Sequence, residues 1–159
     1  MGIYARFTGL AAAAAFTVAV APAAAQSYGA TAVNLATAKK IAAAALAEAQ
    51  KNKWNVAVAV VDMHGFLVYY EKMDDTQSAS PVIAVEKAKT AAMFRRPSRA
   101  FEEGIAKGRT AILGLPGATP ITGGLPIVVD GKIIGGVGVS GVTSDQDEQI
   151  AKAGLDGLK

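Results

Sequence analysis

The sequence concentrates positive charge in one stretch and carries few other groups suited to site chemistry. Arg95, Arg96, Arg99, Lys107 and Arg109 all fall between positions 95 and 109. Guanidinium groups so close in sequence can grip an anion through forked hydrogen bonds, or they can stay solvated and cap the carbonyls at a helix end. His64 is the sole imidazole and lies in Asp62-Met63-His64-Gly65. Asp and Gly supply turn chemistry there, which predicts an exposed ring. The chain contains no cysteine, which excludes disulfides, zinc thiolates, thiol nucleophiles and haem attachment through Cys-x-x-Cys-His. Ser140 has no histidine partner, and a pairing with Lys87 or Lys89 needs a proximity that sequence does not show. Asp62, Asp74, Asp130 and Asp147 read as turn and cap residues before they read as acids or bases. No group of ligating residues is clustered as a metal cage requires, so no metal site is assigned.

Gly136-Val137-Gly138-Val139-Ser140-Gly141 matches G-x-G-x-x-G letter for letter. A dinucleotide fingerprint needs these glycines between a strand and a helix, with an acidic residue about 20 positions later on a second strand. Only 18 residues follow Gly141, and the match begins inside the second arm of a hairpin. The glycines are read instead as small residues that admit another backbone or a ligand onto the sheet, and NAD and FAD are rejected.

The elements that must position these residues form one domain. A chain of 159 residues with 52% apolar and 18% charged content can bury a core and is too short for two ordinary domains. Sixteen basic against 13 acidic residues is a mild excess without a basic run, which gives no support to nucleic-acid binding. Residues 1–25 read as a signal peptide. Arg6 precedes the uncharged run from Leu10 to Val20, Pro22 breaks it, and Ala23-Ala24-Ala25 sets cleavage before Gln26. That run is too short to span a bilayer, so the cleaved chain is expected in the periplasm or outside the cell with no stable membrane anchor. Residues 26–33 read as a flexible leader and 34–159 as the folded domain.

Asn34 is placed as the cap of a first helix with an apolar stripe of Leu35, Ala38, Ile41, Ala42, Ala45, Leu46 and Ala49. Its alanines, like the glycines of the strands, suit close approach by a sheet or another subunit. Val56 to Val61 reads as a strand buried on both faces, returning through Asp62–Gly65 into Phe66–Lys72. Ser80 is expected to cap a helix that has Pro81 at its first position and runs to about Arg95. Ser98 caps a shorter helix ending before Gly108. Residues 108–126 form a shaped loop. Leu125–Val129, Asp130-Gly131 and Ile133–Val139 form a hairpin, and a closing helix starts near Ser144 with Asp145 and Glu148 as a capping box. Hairpins separated by helices favour α+β over a doubly wound parallel sheet.

The landmarks run in order: Val-Val-Asp62-x-x-Gly65, Lys72-Met73-Asp74, Lys87-Ala88-x-Thr90-Ala91, Gly123-Gly124-x-Pro126-Ile127, Asp130-Gly131, Gly135-x-x-Gly138-x-Ser140-Gly141 and Asp147-Glu148. From Leu35 to Leu158 this series resembles the GlcG/HbpS family of small haem-binding domains, also called the haem-degrading domain family. The resemblance implies an α-β-α sandwich with a five-stranded antiparallel sheet flanked by helices. It also implies assembly into symmetric homo-oligomers, and haem or a related tetrapyrrole as ligand.

Haem requires an apolar cleft, cations for two propionates and, for tight binding, an axial ligand. Arg95, Arg96 and Arg99 are expected to meet the propionates. The ring would lie on the adjoining helix and the Gly123-Gly124-Leu125-Pro126 loop, where missing side chains let a flat ligand approach. His64 is the candidate axial ligand, with Met63, Tyr28, Tyr69 and Tyr70 as further donors, while Met73 and Met93 read as core fillers. The functional expectation is an exported, oligomeric haem-binding or haem-sequestering protein that serves a sensor or transport system. The alternatives are a small-molecule or haem-modifying enzyme with a cleft at Gly123-Gly124, and an oligomeric accessory domain without ligand.

Overall fold

The computed structural model describes residues 32–159, so the signal peptide expected over residues 1–25, nearly all of the leader expected over 26–33 and the candidate donor Tyr28 lie outside the described residues. The elements are α1 (Leu35–Lys51), β1 (Ala57–Asp62), β2 (Leu67–Lys72), α2 (Ser80–Met93), α3 (Arg99–Ala106), β3 (Gly124–Val129), β4 (Lys132–Ser140) and α4 (Ser144–Asp156), with a 3₁₀ turn over Thr110–Gly114 before β3. The strands form one antiparallel sheet in the order β2-β1-β4-β3. The sheet described is therefore four-stranded and the expectation of five is corrected. Among the described residues ahead of α1 there is a single backbone bond to the sheet, from Val33 N–H to the Ile134 carbonyl at 3.1 Å, which is too little for a ladder.

The period-two alternation of β1 and β4 builds the sandwich. Val56, Val58, Val60, Val137 and Val139 point to one face, where α1 and α4 cover them through Ile41, Ala45 and Ile150. Ala57, Ala59 and Val61 point to the other, against Ala84, Ala88 and Ala92 of α2. β4 sets glycine opposite its valines, and α2 uses the space. A Cβ on Gly136 would lie 2.4 Å from the Ala88 carbonyl oxygen, and one on Gly138 only 2.1 Å from that of Ala84. The glycine motif is thus a seat for helix backbone. The small faces that suited a second subunit are covered from within, for Gly154 of α4 likewise sits against Ile41 and Ala45 of α1.

Local signals explain most boundaries. Asn34 Oδ1 accepts from Thr37 N–H at 2.8 Å and starts α1, although Leu35, assigned to the stripe, is 51% exposed. Asp130 and Gly131 both have positive φ, 49° and 73°, as a tight hairpin turn demands. Two caps differ from expectation. Ser80 is the first residue of α2, with Ala79 as cap, and its hydroxyl is buried without a partner. At α4 the capping box is formed by Thr143 and Gln146, because Asp145 and Glu148 turn to Arg99. Helix α2 stops at Met93, short of Arg95, and Met93 is 51% exposed and no core filler.

Candidate functional site

Antiparallel pairing sends the predicted site residues to opposite ends of the sheet. One end gathers the 62–65 turn, the 130–131 turn and the end of α2. Asp62 Oδ1 accepts the N–H groups of His64 at 2.8 Å and Phe66 at 2.9 Å, which fixes the turn and leaves His64 exposed. The thioether of Met93 presses on the same turn, since a Cβ on Gly65 would meet its sulfur at 3.0 Å. Beyond α2 the backbone of Arg95 is left-handed, at φ 56°. A non-glycine residue there costs on the order of 1 kcal/mol. The side chain thereby joins Met63, Gly131, Lys132 and Ile133 around a hollow of about 490 Å³. Among the described residues no carboxylate lies within 4.0 Å of Arg95 or Lys132.

At the other end the chain is closed. Lys87 Nζ donates to Asp147 Oδ2 at 2.6 Å and to the Val139 carbonyl at 3.0 Å, with both side chains 2–3% exposed. Burial pushes the Asp147 carboxyl above its ordinary range, against the opposing pull of Lys87 and of the Val142 and Gly141 backbone N–H groups. Gly123 and Gly124 lie over this pair. A Cβ on Gly123 would come 2.9 Å from Lys87 Nζ, and one on Gly124 would come 2.1 Å from the Lys87 carbonyl oxygen. Ser98 Oγ accepts the buried Gly124 N–H at 2.9 Å. The room left by the missing side chains is therefore filled by α2, and the expected approach of a flat ring at Gly123-Gly124-Pro126 has no open surface at the two glycines. Lys87 Nζ is directed to Asp147 and Val139, so no Ser140–Lys87 dyad forms.

The three arginines diverge. Arg95 faces the open end; Arg96 lies over the Phe101 ring, 5.6 Å from its centroid, with Nε donating to the Phe94 carbonyl at 3.2 Å. Arg99 turns to α4, where it donates to Glu148 at 2.5 Å and Asp145 at 2.6 Å, and these hydrogen bonds raise its already high pKa further, that to Asp145 first. The buried pair of Lys87 and Asp147 was missed from sequence. Its signal was a lysine three residues after Ala84 and beside Ala88, on the apolar stripe of α2, where a cation needs a buried partner.

Among the described residues no group of three or more His, Cys, Asp or Glu side chains could hold a metal ion, and no helix is long and apolar enough to cross a membrane. The sequence matches the family described as "HbpS-like: Haem degrading protein HbpS-like" over residues 33–156. The chain belongs to this family. It is 50% identical over 103 residues to protein GlcG of Escherichia coli K12, covering 65% of this chain and 77% of that one. The crystal structure of a double mutant of Streptomyces reticuli HbpS superposes with a TM-score of 0.76 at 32% identity, over 90% of this chain and 98% of the other. A structure described as a PduOC:haem complex gives 0.72 at 26% identity, over 79% of this chain and 94% of that one. The HbpS-like family thus shares the helix-flanked antiparallel sheet, and one of its structural neighbours has haem bound.

Proposed function

We propose that this HbpS-like protein binds haem or a related tetrapyrrole in the hollow between the 62–65 turn, the 130–131 turn and Arg95. The observation that carries the reading is the coincidence there of two cations without carboxylate partners among the described residues, the Met63 thioether and the apolar side chain of Ile133. The volume of about 490 Å³ lies in the range of ligand sites. The donor set fits the group: Arg95 and Lys132 would hold the propionates, Ile133 the ring, and the turn would supply an axial ligand from Met63 or its neighbour His64. Haem would bring a redox-active iron; the chain's own residues bind and orient it and shield one face from water. The structural likeness to the PduOC:haem complex supports haem as the ligand class.

Export to the periplasm or exterior accompanies this reading, resting on the charged, apolar and Ala-x-Ala order of residues 1–25, and the haem would be sequestered for a sensing or transport partner. Homo-oligomerisation accompanies it too, on new grounds. Val82 at 68% and Leu67 at 52% exposed adjoin Tyr70, Pro81 and Val85 beside β2, the end strand of the sheet among the described residues. Such a patch is suited to a second copy, and light scattering that returns a monomer at micromolar concentration refutes that part.

The deciding experiment titrates the purified protein with haemin and follows the Soret band. Saturable binding is expected, weakened about tenfold or more in Arg95→Gln/Lys132→Gln. Of Met63→Leu and His64→Ala, the one that moves the band identifies the axial ligand. No saturable change, or full affinity in the double variant, overturns the site.

A further inference from the structure

A second hollow lies apart from the proposed haem site, between α3, the end of α2 and the 3₁₀ turn. Phe94, Phe101, Ile112 and Leu115 line it, with Arg96 and Arg109 reaching in. Its floor is rigid: Phe94 and Phe101 meet edge to face with centroids 5.2 Å apart, and Phe101 and Ile112 are each 4% exposed. Gly104 lets Ile112 seat against α3, because a Cβ there would come 2.5 Å from its Cδ1. Arg96 is held by its Nε bond and by the Phe101 ring, which leaves both Nη groups able to donate. The local acids are engaged elsewhere. Glu103 pairs with Lys107, Asp145 and Glu148 pair with Arg99, and Glu102 accepts the Thr122 N–H. Among the described residues neither Arg96 nor Arg109 has a carboxylate within 4.0 Å.

The geometry points to a binding site for a small carboxylate with an aromatic or branched apolar body, distinct from the haem hollow. The volume, about 190 Å³, excludes a porphyrin; an apolar cavity of about 150 Å³ takes up benzene, so a ring bearing one carboxylate is the matching size. The planar forks of Arg96 and Arg109 suit a carboxylate, and the aromatic floor suits the body attached to it. A bare inorganic anion would leave that floor unfilled.

The test is calorimetric titration of the purified protein with benzoate as probe, beside neutral benzamide and inorganic phosphate. Saturable benzoate binding is expected, with benzamide at least about tenfold weaker and phosphate weaker still. Arg96→Gln and Arg109→Gln should each raise the benzoate Kd about tenfold, whereas Arg95→Gln leaves it unchanged. Haemin affinity should not move in Arg109→Gln, so failure of this site and failure of the haem site are separable. No saturation by about 10 mM benzoate, equal binding of benzamide, tighter binding of phosphate, or an unchanged Kd in both arginine variants overturns the proposal.

Discussion

Gly138→Ala tests the claim that the glycines of β4 exist to seat α2. The added Cβ would lie 2.1 Å from the Ala84 carbonyl oxygen, 2.5 Å from Ala88 N and 3.1 Å from Ala88 Cα. A carbon and a carbonyl oxygen settle at about 3.3 Å or more, so α2 must retreat by about 1.2 Å. A gap of that size forfeits about half or more of the dispersion well of each contact it opens, here those of Ala84 and Ala88 with Ala57, Ala59 and Val61. Overpacking of this kind costs about 1–3 kcal/mol, and the main-chain location of the obstacle places this site at the upper end, since no side chain can rotate away. Reduced freedom of the unfolded chain returns about 0.4–1 kcal/mol, leaving a net loss near ~2 kcal/mol and a Tm lower by about 8 °C. Urea titration at fixed protein concentration measures it. Gly114→Ala is the control: nothing lies within 4 Å of its Cβ and its φ is not positive, so it should be neutral or slightly stabilising. A Gly138→Ala midpoint equal to that of Gly114→Ala would refute the reasoning.

Lys87→Met leaves Asp147 buried and unpaired and should cost about 3–5 kcal/mol, while Lys87→Met/Asp147→Asn should be more stable than Lys87→Met alone; a double-mutant cycle in urea showing additivity would contradict the pair. Because burial raises the Asp147 pKa above 3.8, the native state binds its proton more tightly than the unfolded chain, so this group's contribution is full below that value and is lost as pH rises through the native pKa. Wild-type stability relative to Asp147→Asn should therefore fall as pH rises above the ordinary carboxylate range, and a rise would show that Lys87 outweighs burial. Arg95→Gly should raise stability by roughly 1 kcal/mol by relieving the left-handed backbone while weakening haemin binding; a loss of stability on thermal unfolding would refute the strain.

The fold was legible wherever one period dominated. The α1 stripe, the β1 run and the Asp130-Gly131 turn each combine one periodicity with one local signal, and each appears within a residue or two of expectation. The misreadings fall where two residues compete for one role. Ser80 before Pro81 resembles a cap, yet the helix begins one residue earlier and buries the hydroxyl. Asp145 and Glu148 have capping-box spacing, but the Arg99 guanidinium, 46 and 49 positions away in sequence, holds both. Long-range charge pairing of this kind leaves no periodic trace.

The candidate site was legible in residue type and illegible in direction. Arg95, Arg96 and Arg99 are close in sequence, and three guanidinium groups in five positions imply a single grip. The left-handed backbone at Arg95 ends α2 abruptly, and Pro97 follows before α3 begins, so successive side chains leave a chain that changes course twice. Each arginine then meets a different environment: an open hollow, an aromatic ring and a carboxylate pair. The same geometry divides the molecule by role. The end closed by Lys87, Asp147, Gly123 and Gly124 is packed to main-chain contact and has no room to adapt to a ligand. The opposite end holds exposed turns, two cations without carboxylate partners and a strained residue. On the proposed reading, a ligand that neutralises those cations while Arg95 keeps its left-handed backbone offsets part of that strain with binding free energy, so strain is better tolerated at this end than in the glycine seat of α2.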